Sequence, residues 1–392
     1  MTKKKFTARL LSAAMALALC LGLSTTTFAA TGDNVTEAAI TKNLQMDTNV
    51  TTPEVTFTFK VEKVSLDGSE EEAEKAKMPT IENPTIEFTG DDEGTTDTAT
   101  GLKEVKKQTA NIIPAVTDFP HAGVYKYKVT EEPSGYTEAE GTTMAYSQAE
   151  FSLEIYVKNG TDGLEIAGVR VDYTKGDDGT AKTEKVDPTP GTGGGVSAWE
   201  FVNQFTKNGG TDDPYDPDNP DDRHKDGALE IAKAVTGDMG DKTKQFTFAL
   251  TLTKLSALEA EGTTYTGTIH RADGTTTEKV ISTSEVSFTL ADGEYLTFAY
   301  LPVGTVYTIS ETEKDQDGYT TSVKTLSDGQ ASTMEENVVV GEKANFVGYT
   351  NNKEGTVPTG IIVNNLPFII LIFVAVCGFA GYIVFRRRKY TN

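Results

Sequence analysis

Twice along this chain, in the same order, a lysine, a glutamate and an asparagine stand on the apolar faces of alternating runs, and this repeat constrains the fold more tightly than any other feature. Near the start of the first half Lys42 lies between Ile40 and Leu44; near the start of the second, Lys233 belongs to the series Leu229, Ile231, Val235. Residues two apart on a strand share one face. A Phe-Thr-Phe run follows each lysine, at Phe57-Thr58-Phe59 and Phe246-Thr247-Phe248. Later, Tyr125, Tyr127 and Val129 lead to Glu131, and Tyr307 and Ile309 lead to Glu311. Parity selects Glu131 over its neighbour Glu132, which would face solvent. Each glutamate is followed by Gly-Tyr-Thr, at Gly135-Tyr136-Thr137 and Gly318-Tyr319-Thr320. The last run of each half carries an asparagine, after Trp199 and Phe201 at Asn203, and after Val347 and Tyr349 at Asn351; parity prefers Asn351 to the adjoining Asn352.

Between these landmarks the chain reads as mainly β, with β-branched and aromatic runs punctuated by Gly, Asp and Thr. Only the acidic stretch Ser69 to Lys77 hints at a helix, and it is short enough to be an inserted loop element. The two β-rich halves, 31–206 and 228–355, are separated at 207–227 by an acidic, Pro-rich segment that reads as a solvated spacer. Its carboxylates lack the Asp-x-Asp-x-Asp-Gly pattern of a calcium loop. The glycines from Pro190 to Gly195 lack the Gly-Lys-Ser/Thr of a phosphate loop. No metal or cofactor is expected.

Taken singly, each of the six polar residues has a bland explanation, since a strand-end lysine snorkels, a glutamate ends a strand at the rim and an asparagine opens a turn. Six in one order and one parity outweigh it. A lysine and a glutamate sharing an apolar core shift toward amine and carboxylic acid, because burial disfavours both charges. Neutral amine is a nucleophile, the carboxamide of asparagine offers a carbonyl, and a protonated glutamate can polarise that carbonyl and shuttle protons to departing ammonia. The expected product is a Lys–Asn side-chain amide, formed once per site during folding. That is single-turnover self-modification, and the chain is not expected to be an enzyme in the usual sense. His121, His224 and His270 are scattered, and no His-Glu-x-x-His or Gly-x-Ser-x-Gly pattern appears.

The two ends belong to neither half. Residues 1–30 combine Lys3, Lys4, Lys5 and Arg9 with an apolar stretch from Leu10 to Leu23 and small residues at Thr27, Ala29 and Ala30, the pattern of a secretory signal peptide. Cys20 follows Leu19 where a lipoprotein signal would want a small residue, which argues against a lipid anchor. From Leu366 to Phe385 runs an uncharged apolar span followed by Arg386, Arg387, Arg388 and Lys389, a membrane helix whose basic tail stays cytoplasmic. Both cysteines, Cys20 and Cys377, fall in these ends, so the exported stretch has no disulfide to rely on. The ends hold eight basic residues and no acidic one, which leaves 28 basic against 58 acidic residues, a net charge of -30, between them. Nucleic acid is therefore not an expected partner.

With these residues in view, the chain resembles the major (shaft) pilins of Gram-positive bacteria, of the T-antigen type with streptococcal pilin isopeptide linkage domains. The resemblance spans the whole chain. It implies two tandem immunoglobulin-like (Cna-B-like) β-sandwich domains, each holding a Lys–Asn isopeptide with an assisting glutamate, here Lys42, Glu131, Asn203 and Lys233, Glu311, Asn351. Thr356-Val357-Pro358-Thr359-Gly360, standing before the span and the Arg cluster, resembles the sorting signal of these pilins within 356–392. By analogy a sortase cysteine attacks the Thr359 carbonyl, releases Gly360 onward and holds the pilin as a thioester until a lysine of the next subunit resolves it. The Tyr-Pro-Lys motif of other shaft pilins is missing, and family position favours Lys175, delivered by the run Val169, Val171, Tyr173 to an exposed Gly-Asp-Asp-Gly turn; Lys182 and Lys185 are further candidates. The implied protein is a wall-anchored, covalently polymerised pilus subunit at the cell surface. Its implied partners are a pilin-class sortase, identical subunits head to tail, minor pilins, peptidoglycan and a host-surface ligand. The alternative is a singly anchored adhesin or pilus base subunit.

Overall fold

A computed structural model describes residues 35–355, apart from 140, 211–226, 255–257 and 260–261, together with residue 371. The signal peptide, the middle of the expected spacer, the sorting signal Val357, Pro358, Thr359, Gly360 and nearly all of the expected span lie outside the described residues. Among the described residues no helix is long and apolar enough to cross a membrane.

The strands of the first half are β1 (Thr41–Asp47), β2 (Val55–Leu66), β3 (Thr85–Phe88), β4 (Thr95–Thr96), β5 (Leu102–Gln108), β6 (Gly123–Glu131), β7 (Thr142–Ala145), β8 (Glu150–Asn159), β9 (Leu164–Lys175), β10 (Ala181–Val186) and β11 (Glu200–Lys207). They form one sheet in the order β4-β5-β1-β11-β7 and another in the order β10-β9-β8-β6-β2-β3. The helix expected between Ser69 and Lys77 is the single turn α1 (Glu72–Lys75), with no buried residue. The second half contributes β12 (Leu229–Thr236), β13 (Phe246–Lys254), β14 (Tyr265–His270), β15 (Thr276–Ile281), β16 (Val286–Leu290), β17 (Tyr295–Phe298), β18 (Val306–Glu311), β19 (Thr320–Ser327), β20 (Gln330–Ser332), β21 (Val338–Val339) and β22 (Phe346–Asn352). Its sheets run β15-β14-β17-β12-β22-β19-β20 and β16-β13-β18-β21.

Alternation explains how the sheets close on each other. Phe57 and Phe59 of β2, Tyr125, Tyr127 and Val129 of β6, and Phe151, Leu153 and Ile155 of β8 are all buried on one face. They meet Ile40, Leu44, Phe201 and Phe205 from the other sheet in a single apolar cluster. A second cluster joins Leu229, Ile231 and Val347 to Phe246, Phe248, Leu250 and Ile309. At about 25 cal/mol per Å² of apolar surface removed from water, aromatic rings of this size dominate the stabilisation of both cores.

One non-local feature positions everything that follows. In each half the first strand and the last are parallel neighbours within otherwise antiparallel sheets: β1 pairs with β11, placing Leu44 opposite Asn203, and β12 pairs with β22, placing Val235 opposite Asn351. In both cases the asparagine stands opposite the residue two beyond the lysine, so lysine and asparagine share a face and lie diagonally across one strand pair.

The opening of the expected spacer is not free chain. Lys207 ends β11, and the polar groups after it pair with the second half: Val303 N–H donates to Lys207 O (2.9 Å), Gly209 N–H to Leu301 O (3.0 Å), and Leu301 N–H to Asn208 Oδ1 (2.7 Å). Glu342, nearly buried, accepts from Thr51 N–H (2.8 Å), Thr51 Oγ (2.6 Å) and Lys207 Nζ (3.1 Å). Buried backbone groups must find partners, and here they find them across the boundary between the halves.

Candidate functional site

In the first half, β1 delivers Lys42, β11 delivers Asn203, and β6 of the facing sheet delivers Glu131. Lys42 and Asn203 are fully buried and the Glu131 side chain is inaccessible. One carboxyl group bridges the other two: Lys42 Nζ lies 2.5 Å from Glu131 Oε2, and Asn203 Nδ2 donates to Glu131 Oε1 at 2.6 Å. Glu132, on the other parity, is only partly buried. The Lys42 amine sits 4.6 Å from the centre of the Phe57 ring, an apolar contact beside its bond to Glu131.

The second half repeats the arrangement. Lys233 Nζ lies 2.7 Å from Glu311 Oε2, and Asn351 Nδ2 donates to Glu311 Oε1 at 2.5 Å. Lys233 Nζ is 4.1 Å from the centre of Phe246, which is packed edge-on by Tyr319 of the recurring Gly-Tyr-Thr. Asn352, on the other parity, accepts from Thr236 Oγ1 at the surface (3.0 Å).

Burial shifts the protonation of Lys42, Glu131 and Lys233. It pushes the Lys42 amine below its ordinary value, against the opposing pull of Glu131, and pushes the Glu131 carboxyl up. Lys233 is pushed down to about 8 by the same cause. Desolvation outweighing attraction favours the uncharged amine and, at the first site, the protonated acid. Each cluster thus holds a buried amine and a carboxamide joined through one carboxyl group able to exchange protons with both.

The two sites differ beyond the shared three residues. At the first, Asn203 Oδ1 accepts the backbone N–H of Ser147 at 2.7 Å, and Ser147 Oγ donates to the buried Asp177 at 2.6 Å. At the second, Asn351 Oδ1 is buried with no donor among the described residues. Ser147 and Asp177 escape a sequence reading founded on the repeat, because they come from loops present in one half only.

Lys175 does not stand clear of the surface. It ends β9, is partly exposed, and pairs with Glu150 at 3.4 Å; the turn after it turns inward at Asp177. On the neighbouring edge strand β10, Lys182 is partly buried and Lys185 is exposed. His121 is exposed, whereas His270 is partly buried, its ring stacked on Tyr295 at 4.5 Å and bonded to Thr297 at 2.9 Å; His224 lies outside the described residues. Among the described residues no group of three or more His, Cys, Asp or Glu is placed to hold a metal ion.

Residues 38–206 match the family described as Spy0128-like isopeptide containing domain, and residues 227–358 match a domain of unknown function, DUF7601. A pilin of Streptococcus pyogenes serotype M1 is 27% identical over 388 residues, covering 95% of this chain and 98% of that protein. The pilus tip adhesin Cpa of Streptococcus pyogenes is 31% identical over 133 residues, which are 34% of this chain and 18% of the adhesin. The crystal structure of the major pilin from Streptococcus pyogenes aligns over 82% of this chain and 100% of its own, at 22% identity and a TM-score of 0.34. Its first half is matched by the isopeptide-domain family and nearly its whole length by a streptococcal pilin, and together these matches support a Gram-positive shaft pilin.

Proposed function

We propose that this pilus shaft subunit seals each of its halves with a Lys–Asn amide and is joined to the next subunit by a sortase. The halves, 31–206 and 228–355, are read as tandem immunoglobulin-like sandwiches. The carrying observation is the pair of buried clusters in which one carboxyl group touches both the amine and the carboxamide.

In the proposed step Lys42 Nζ attacks Asn203 Cγ, the new C–N bond forms, and the Cγ–Nδ2 bond breaks. Glu131 takes a proton from the lysine nitrogen and delivers one to Nδ2, which leaves as ammonia, so the carboxyl returns to its starting state. Lys233, Glu311 and Asn351 act likewise. The bond would tie the first strand of each half to the last, its parallel neighbour, so tension along the shaft would cross a covalent link instead of peeling strands. Reductant would not cleave it.

Polymerisation is assigned to Thr359 as acyl donor and Lys175 as acceptor, with Lys185 the more exposed alternative. Assembly with minor pilins and attachment to peptidoglycan would follow the same acyl transfer. The test has two parts. The mature subunit should weigh about 34 Da less than its sequence, about 17 Da for each ammonia lost on covalent modification; an unmodified mass removes the internal amides. Cell-wall extracts should show a ladder that survives boiling in detergent and reductant, collapsing to monomer in Lys175→Ala. A ladder unchanged by that substitution moves the acceptor elsewhere, and a single monomer band favours a singly anchored surface protein.

A further inference from the structure

We propose that the first cross-link site contains a second working part with no counterpart among the described residues of the second site: the Ser147 N–H as a hydrogen-bond donor to the reacting carbonyl, held in place by the buried carboxyl of Asp177. The inference rests on the internal-amide reading above. When Lys42 adds to Asn203 Cγ, charge develops on Asn203 Oδ1, and a donor already aimed at that oxygen stabilises the transition state more than the starting amide. Ser147 N–H lies 2.7 Å from it.

A backbone donor is only as well aimed as its loop is rigid, and Asp177 supplies the rigidity. Its Oδ1 accepts from Ser147 Oγ (2.6 Å) and from Val202 N–H (2.8 Å), the residue before Asn203. Its Oδ2 accepts from Tyr173 OH (2.7 Å), whose ring stacks on Phe151 at 4.5 Å. Its own carbonyl accepts Gln148 N–H at 3.0 Å. One side chain therefore ties the Ser147 loop, the strand carrying Asn203 and the end of β9 into a single unit. Asp177 touches none of the reacting atoms and is a positioning residue. In the second half Asn351 Oδ1 lacks any such donor among the described residues, so Glu311 works without this help.

The consequence is an order of events, the first amide closing before the second. The test uses the full exported chain made by cell-free synthesis. Samples are quenched over time, digested, and the Lys42–Asn203 and Lys233–Asn351 branched peptides are quantified by mass spectrometry. Ser147→Ala keeps the backbone N–H but frees it from Asp177, and Asp177→Asn presents one oxygen where two are used. Each should slow the first amide about tenfold or more while leaving the second unchanged in the same molecules. Ser147→Thr, which keeps the hydroxyl, should restore the rate, and the double variant should be no slower than the slower single one. A first amide forming at the parental rate in both single variants overturns the proposal, as does failure of Ser147→Thr to rescue. So does melting of Asp177→Asn below the assay temperature when measured in an Asn203→Ala background. A parental chain with no first-site branched peptide at any time overturns the cross-link reading itself, a distinct outcome.

Discussion

Replacing Glu131 by Ala should leave the first amide unmade and expose how much it contributes. The carboxyl removed is the sole bridge between Lys42 Nζ and Asn203 Nδ2, at 2.5 and 2.6 Å. Without it the amine keeps its apolar surroundings but loses its proton acceptor, and the carboxamide loses the acid that would protonate its leaving nitrogen. The stability cost has two parts. Opening a cross-linked loop of roughly 160 residues forfeits about 5 kcal/mol by the chain-entropy relation used for disulfides. Stranding a buried amine and amide without their shared partner adds about 1–3 kcal/mol. For a unit of this size each kcal/mol moves the midpoint by about 2–4 °C, so the first half should melt roughly 15–25 °C lower. Intact mass read beside a thermal melt checks both parts, since the variant should retain one ammonia, about 17 Da, that the parent loses. Glu131→Gln, which keeps the shape, should also fail to cross-link but melt above Glu131→Ala. A Glu131→Ala chain still lighter by two ammonias would refute the role given to the carboxyl.

Three further outcomes follow from the geometry. In Asn351→Ala the amine of Lys233 survives, released at about 8 when folded against 10.5 ordinarily. Between those values the unfolded chain binds more protons, so stability should rise with pH across that window and stay level at its lower value below it; urea midpoints compared with Lys233→Met/Asn351→Ala isolate the slope, and a flat difference would contradict it. Glu342→Ala removes the acceptor of Thr51 and Lys207 between the halves; it should cost about 2 kcal/mol and speed hydrogen exchange at the Thr51 amide by about tenfold or more. Gly135 has a φ of 102° and a Cβ there would stand 2.0 Å from Thr56 O, whereas Gly318, at a φ of 80°, would meet only the Lys353 side chain at 3.5 Å. Gly135→Ala should therefore destabilise by about 2 kcal/mol or more and Gly318→Ala by about 1, measured by denaturant midpoints; equal costs would count against the contact with Thr56.

Much of this protein is legible in its sequence because side-chain alternation is local. Parity alone places Glu131 inward and Glu132 outward, and Asn351 inward and Asn352 outward, and the buried faces of β2, β6 and β13 follow from their aromatic spacing. What parity cannot specify is which strands become neighbours. The parallel pairing of first and last strand brings Lys42 within reach of Asn203 and Lys233 within reach of Asn351; it is settled by how two sheets close over shared cores, across separations no local pattern spans. The same holds for Ser147 and Asp177, which lie on loops with no periodicity and no counterpart in the other half, and for Lys207 to Gly210, whose polar composition reads as spacer until buried backbone groups require partners. Alternation along each strand sets which residues are buried and which faces they share. Which of them meet is settled by the closing of the two sheets, because contact between distant strands depends on the packing of the whole sheet and not on any one segment.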